Sequence, residues 1–190
     1  MTEIILYPTE TLYALGVNPF DKTAVAQLYK LKARPVEKAV SWLVRDVADI
    51  EKYAKLGQVG AKIAAQFLPG PLTLVLPLRR EYWSDPDQPE TIGFRVSSDP
   101  VAQVVIADFM KQHQAPLACT SANISNSPTL ATVSEIIAQF GTGQKLITTI
   151  HDDGPRSGQA STVIEIKDNE VICLREGAYR LADIKDFLGK

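Results

Sequence analysis

The sequence predicts an α/β or mixed-sheet α+β fold. Short β-branched and apolar runs alternate with runs of helical period along the whole chain. An aspartate or threonine stands before four of the helical runs, where N-caps belong. Neither internal repeats nor a low-complexity segment interrupts the pattern, and no linker divides it, so residues 1–190 read as a single domain.

The strands are predicted over 4–7, 40–44, 72–78, 91–96, 116–120, 146–150, 161–166 and 171–174. The run 72–78 is almost wholly apolar and bounded by proline, which suits a strand inside a sheet. The helices are predicted over 22–32, 47–55, 59–67, 100–112, 133–140 and 182–188. Asp21, Asp46, Asp99 and Thr132 are their N-caps, and Pro100 fits a first helical position. Pro35 stops the first helix and Pro69-Gly70-Pro71 the third. Residues 81–90 form a polar loop in which Trp83 is a local packing anchor.

Composition removes several function classes. The chain is 45% hydrophobic and 22% charged with a formal net charge of -2, so nucleic-acid binding by bulk charge is disfavoured, although a local basic groove is allowed. Cys119 and Cys173 read as reduced thiols of a cytoplasmic protein. The first residues lack the pattern of a signal peptide, and no apolar run approaches the ~20 residues that span a bilayer. His113 and His151 stand apart, which argues against a zinc site, and no Walker A, G-x-G-x-x-G or G-x-S-x-G pattern occurs.

Several polar segments sit where ligands gather, and each has a plainer alternative. Lys30, Lys32, Arg34 and Lys38 either complement a helix C-terminus or form a polyphosphate clamp in which Lys32 and Arg34 face one groove. Tyr7-Pro8-Thr9-Glu10-Thr11 is a plain turn or a set of hydroxyls at a strand end, with Gly16 allowing close backbone packing. In 91–96, period-two alternation puts Ile92, Phe94 and Val96 on one face, and Thr91, Gly93 and Arg95 on the other. Arg95 is then a surface residue or the floor of a cleft, where a buried guanidinium demands an anion. Ser121 and Asn123 make a side-chain turn or present polar groups at a strand edge. Asp152-Asp153 is read as a turn, since two adjacent carboxylates do not make a metal cage.

Taken in order, these segments resemble the YrdC/TsaC family of L-threonylcarbamoyladenylate synthases. The resemblance rests on YPTETLYALG from Tyr7, Lys32-Ala33-Arg34-Pro35, Pro69-Gly70-Pro71-Leu72-Thr73 and Ile92-Gly93-Phe94-Arg95-Val96. It continues through Thr120-Ser121-Ala122-Asn123-Ile124-Ser125, Asp153-Gly154-Pro155, Ala160-Ser161-Thr162-Val163 and Leu174-Arg175-Glu176-Gly177-Ala178. It implies an open, twisted mixed sheet with flanking helices around a concave, basic groove. The implied reaction takes ATP, L-threonine and bicarbonate to threonylcarbamoyl-AMP and pyrophosphate, for N6-threonylcarbamoylation of adenosine 37 in tRNA by a downstream transfer machinery. Direct tRNA contact is a further implied possibility, and Mg2+ is expected to arrive with ATP. By the family pattern, Lys32, Arg34, Lys38, Thr91, Ser121, Asn123, Thr129 and Arg175 contact ATP. Thr11, Arg95, Cys119 (through its backbone) and Ser161 contact threonine. No residue is expected as nucleophile or base, and none as metal ligand; Lys32 and Arg34 act by positioning.

The chain departs from the pattern at named places. Leu43 stands where some relatives carry a threonine-contacting His, Asn126 where a Gly is usual, and Asp152-Asp153-Gly154 where Asp-Gly-Gly is common. The helix that usually precedes the first strand has no counterpart before Ile4, and the helix over 182–188 is expected to supply part of its cover through Ile184, Phe187 and Leu188. Two alternatives remain at this level: an RNA-binding module using the same groove, and a related carbamoyl-adenylate-forming domain, whose usual zinc-finger cysteines this sequence lacks.

Overall fold

The computed structural model describes residues 2–82, 89–156 and 158–189. Its strands are β1 (Ile5–Tyr7), β2 (Ala14–Val17), β3 (Ser41–Leu43), β4 (Leu72–Pro77), β5 (Thr91–Arg95), β6 (Leu117–Ser121), β7 (Thr149–Ile150), β8 (Thr162–Lys167) and β9 (Glu170–Arg175). Among the described residues they form one mixed sheet in the order β7-β1-β2-β6-β3-β5-β4-β8-β9. The pairs β1–β7, β3–β5 and β4–β8 are parallel and the others antiparallel. β4 lies between β5 and β8, inside the sheet as its apolar run predicts.

The helices are α1 (Lys22–Leu31), α2 (Val47–Tyr53), α3 (Gly57–Phe67), α4 (Pro100–His113), α5 (Val133–Phe140) and α6 (Leu181–Leu188). All four expected N-caps accept hydrogen bonds from the first turn of their helices, and Thr132 forms a capping box with Glu135. One continuous core joins these elements to the sheet. Trp42 sits near its centre, edge-on to Phe20, Tyr53 and Phe94 at ring distances of 5.6–5.8 Å. α6 packs on α3, with Ile184 fully buried and Phe187 edge-on to Phe67 at 5.5 Å. It therefore gives cover to α3 and its neighbours. No helix among the described residues is long and apolar enough to cross a membrane.

Three expectations need correction. β2 has no counterpart among the expected strands; all four of its residues are buried, so it shows no alternation, and Gly16 sits within it. A Cβ on Gly16 would lie 2.8 Å from the Leu117 side chain, so the close packing expected there is against β6. The strand expected over 146–150 shrinks to two residues, because Gly141–Leu146 continues from α5 as a 3-10 helix. Helix α1 ends before Pro35: Lys32 is its C-cap and Ala33 turns left-handed at φ 47°. Trp83 lies outside the described residues.

Candidate functional site

A cavity of about 510 Å³ opens on the face of the sheet that carries Ser41, Gly93 and Arg95. Nine of the twelve candidate residues line it: Thr11, Arg34, Thr91, Arg95, Cys119, Ser121, Thr129, Ser161 and Arg175. Three guanidinium groups face it and, among the described residues, no carboxylate belongs to its lining, although Glu10 pairs with Arg95 beside it. Such a cavity favours an anionic ligand. Lys32, Lys38 and Asn123 are not part of the lining.

Strand geometry places the floor. Ile92 and Phe94 are buried in the core while Thr91, Gly93 and Arg95 face the cavity, so alternation decides for the cleft-floor position of Arg95. Gly93 does more than leave room. A Cβ there would lie 2.9 Å from Thr73 Cγ2 and 3.0 Å from Ser41 Oγ, so a side chain would push the neighbouring strands' hydroxyl residues off the floor.

Arg95 is 8% exposed and paired on two sides. Its Nη2 lies 2.9 Å from Glu10 Oε1 and donates to Thr11 Oγ1 at 2.8 Å. Ser97 Oγ in turn donates to Glu10 Oε2. Arg95 Nε is buried without a partner among the described residues, a donor in want of an acceptor. Thr9 closes the turn beneath, donating through Oγ1 to the Leu12 carbonyl at 2.7 Å. The Tyr7–Thr11 segment is thus both a turn, through Thr9, and a ligand-facing hydroxyl, through Thr11.

Ser161 stands just before β8, with Oγ 3.0 Å from Thr73 Oγ1. Arg175 donates to the Ser161 carbonyl from Nε at 3.1 Å and Nη2 at 2.7 Å, and to Ser161 Oγ at 3.1 Å. A bulge aims this arginine. The β8–β9 register passes from Ile164 opposite Cys173 to Val163 opposite Arg175, leaving Leu174 extra and turning Arg175 to the cavity side with Val163. Burial and the neighbouring charge of Arg95 both lower its pKa. A bound anion would relieve both penalties.

Gly158 approaches the Thr11 backbone closely. A Cβ on Gly158 would lie 2.5 Å from the Thr11 carbonyl oxygen, so only glycine fits this approach. Asp152 accepts from the Gly154 amide at 3.2 Å and from Tyr13 Oη at 3.1 Å, the turn expected of it. Arg156 ties the loop down, pairing with Asp99 at 3.2 Å and Asp153 at 2.6 Å and donating to the Thr9 carbonyl.

The basic segment after α1 divides. The left-handed turn at Ala33 sends Lys32 inward and Arg34 to the cavity. Lys32 is 1% exposed, and its ammonium donates to the carbonyls of Ser121 and Asn123. Burial, assisted by the charge of Arg34, lowers its pKa to about 7. The two cations therefore part here: Lys32 braces the end of β6 from below, and Arg34 lines the cavity. Asn123 also belongs to that brace, since Nδ2 donates to the Ser127 carbonyl at 2.7 Å and Oδ1 accepts from Ser121 Oγ at 2.6 Å. Lys38 is exposed at the rim.

Cys119 lines the floor, buried, with its thiol pushed up to about 11 by that burial. A protonated thiol is a poor nucleophile. Leu43 lines the same floor and offers it no polar group. Sequence reasoning missed Glu10, Ser97, Thr73 and Arg156 as parts of the site. Glu10 and Thr73 stand inside quoted motifs, but the Arg156–Asp99 pair spans 57 residues and leaves no local signal.

Comparison with known proteins gives concordant results. The Sua5/YciO/YrdC family model, described as telomere recombination, matches residues 2–177. A threonylcarbamoyl-AMP synthase of Vibrio cholerae is 35% identical over 180 residues, covering 92% of this chain and 90% of the relative. The crystal structure of Pyrococcus abyssi Sua5 complexed with L-threonine superposes with a TM-score of 0.82 at 29% identity, covering 98% of this chain. The chain spans about half of that protein, 54% of its length. Escherichia coli YciO superposes with a TM-score of 0.81 at 26% identity, covering 95% of this chain and 85% of YciO.

Proposed function

The chain belongs to the Sua5/YciO/YrdC family, and we propose that it makes threonylcarbamoyl-AMP from ATP, L-threonine and bicarbonate, with release of pyrophosphate. The product serves N6-threonylcarbamoylation of tRNA adenosine 37, transfer being the work of separate proteins. The observation that carries this reading is the cavity: three guanidinium groups, a hydroxyl-rich floor and, among the described residues, no lining carboxylate, in a chain 35% identical to a named synthase.

The chemistry asks for positioning more than for a nucleophile. The threonine amine condenses with bicarbonate to a carbamate and water. A carbamate oxygen then attacks the α-phosphorus of ATP, and the bond to the β-phosphate oxygen breaks. Held reactants and fixed positive charge lower that barrier. Arg95 binds the threonine carboxylate through its guanidinium. Thr11 and Ser161 hold the amino acid, and Cys119 contributes its backbone. Arg34 and Arg175 neutralise phosphates, with Thr91, Ser121 and Thr129 placing the nucleotide. Lys32 and Asn123 act from beneath, fixing the segment that carries Ser121. Mg2+ travels on the triphosphate and is held mainly by its oxygens, since the lining offers no carboxylate to replace them.

Incubation with ATP, bicarbonate and labelled threonine should give threonine-dependent pyrophosphate and a labelled adenylate. Arg34→Ala should abolish both while the fold survives. Pyrophosphate release that does not need threonine, or wild-type rates in Arg34→Ala, would reject the assignment.

A further inference from the structure

Asn126 occupies a conformation that favours glycine, with φ at 66°. Asparagine is among the few side chains that tolerate this region, so the backbone admits it where a glycine would also fit. What it adds is a contact: Asn126 Oδ1 accepts from Lys38 Nζ at 2.8 Å. The two residues belong to opposite rims of the cavity. Arg34, Ala39 and Val40 line it on the Lys38 side, and Ser121 and Thr129 on the Asn126 side. Both side chains are exposed, so the contact bridges the rims at the surface.

Lys38 is otherwise held from its own side. Its carbonyl accepts from Tyr29 Oη at 2.8 Å and from Arg34 Nε at 3.0 Å, and Arg34 Nη2 donates to the Ala39 carbonyl at 2.7 Å. The backbone at Lys38 is therefore fixed, and its long side chain is the free variable. A neutral amide oxygen orients the ammonium without cancelling its charge and leaves two of its three donors available. A carboxylate in the same place would pair with the cation and face an incoming phosphate with like charge.

We infer that Asn126 is a positioning residue for the nucleotide: it holds the Lys38 ammonium across the cavity mouth, where the polyphosphate of ATP enters. This rests on the proposed use of ATP at the same cavity. Because φ at 126 suits glycine, Asn126→Gly removes the amide without straining the backbone, and calorimetric titration with ATP and with L-threonine reads the result directly. Asn126→Gly should weaken ATP binding about three- to fivefold, the weight of one exposed charge-assisted contact, and leave threonine binding and the melting temperature in place. In a Lys38→Ala background the same substitution should have no further effect. Wild-type ATP affinity in Asn126→Gly, an equal loss for threonine, or a loss that persists without Lys38 would each overturn the inference. Binding that follows this pattern in a chain that makes no adenylate would support it and refute the proposed reaction; absence of ATP binding would overturn both.

Discussion

The two groups of residues around the cavity are built differently. Thr11, Arg95 and Ser161 are buried, and each is bonded to another side chain: Arg95 to Glu10 and Thr11, Ser161 to Thr73 and Arg175. Arg34, Lys38 and Thr129 stand on loops; Arg34 is half-buried and bonded to carbonyls of its own loop, and Lys38 and Thr129 are exposed. The first group is set before any ligand arrives, as a site for a small, fully recognised molecule should be. The second has donors that can exchange a carbonyl for a phosphate oxygen, which suits a longer, charged ligand.

The largest effect should come from breaking the rigid group. Arg95→Ala removes a charge-assisted contact in a closed site, a loss on the order of 2–4 kcal/mol, or roughly 30- to 1000-fold in kcat/KM for threonine. The ATP dissociation constant should stay within about twofold. The substitution also leaves the half-buried Glu10 without its cation, so the melting temperature should fall. Adding Glu10→Gln should recover the melting temperature and not the use of threonine. Equal losses for ATP and threonine would show that the two groups are not separate.

How far these groups were legible in the sequence follows from the same contrast. Period-two alternation put Arg95 on the face opposite Ile92 and Phe94, because alternation is a local rule, but it left surface and cleft floor open; the packing of the sheet chose the floor. The helix starts at Asp21, Asp46, Asp99 and Thr132 were readable for a like reason, capping being local chemistry. β2 was not, since a strand buried on both faces loses its alternation. The inward turn of Lys32 was not legible, because a left-handed alanine carries no mark in the sequence. The approach of Arg175 to the cavity depends on a bulge, a matter of register between two strands that neither strand announces alone.

An intermediate effect concerns Lys32 and pH. Its pKa is lowered from 10.5 to about 7 in the folded chain. The unfolded chain keeps the ordinary lysine value, so between about pH 7 and 10.5 it binds more protons than the folded one, and this lysine makes the free protein more stable as pH rises through that window. Below pH 7 the ammonium is charged and buried, and its burial penalty is fully present. A triphosphate nearby favours the charged form, so ATP binding at pH 8 should take up a proton on Lys32. Titration calorimetry in buffers of different ionisation enthalpy measures that uptake. It should disappear in Lys32→Met, and an uptake unchanged by that substitution would place the titrating group elsewhere.

The smallest effect tests the hinge that separates the two cations. Ala33 at φ 47° carries the strain of a left-handed L-residue, roughly 1–2 kcal/mol, which glycine does not. Glycine gives back part of that gain through its freer unfolded chain, about 0.4–1 kcal/mol. Ala33→Gly should therefore stabilise the protein by about 0.5–1 kcal/mol, a rise of about 1–4 °C in melting temperature for a chain of this size. Lys32 and Arg34 would keep their directions, so ATP and threonine affinities should not move. Ala33→Val should act in the opposite sense, because a β-branched side chain resists φ > 0 more than alanine does. Turning the segment off its left-handed corner would draw Lys32 from the Ser121 and Asn123 carbonyls and Arg34 from the cavity together, so its ATP affinity should fall with its melting temperature. A stabilised Ala33→Val, or an Ala33→Gly that loses ATP, would mean that the corner is not what sets the two cations apart.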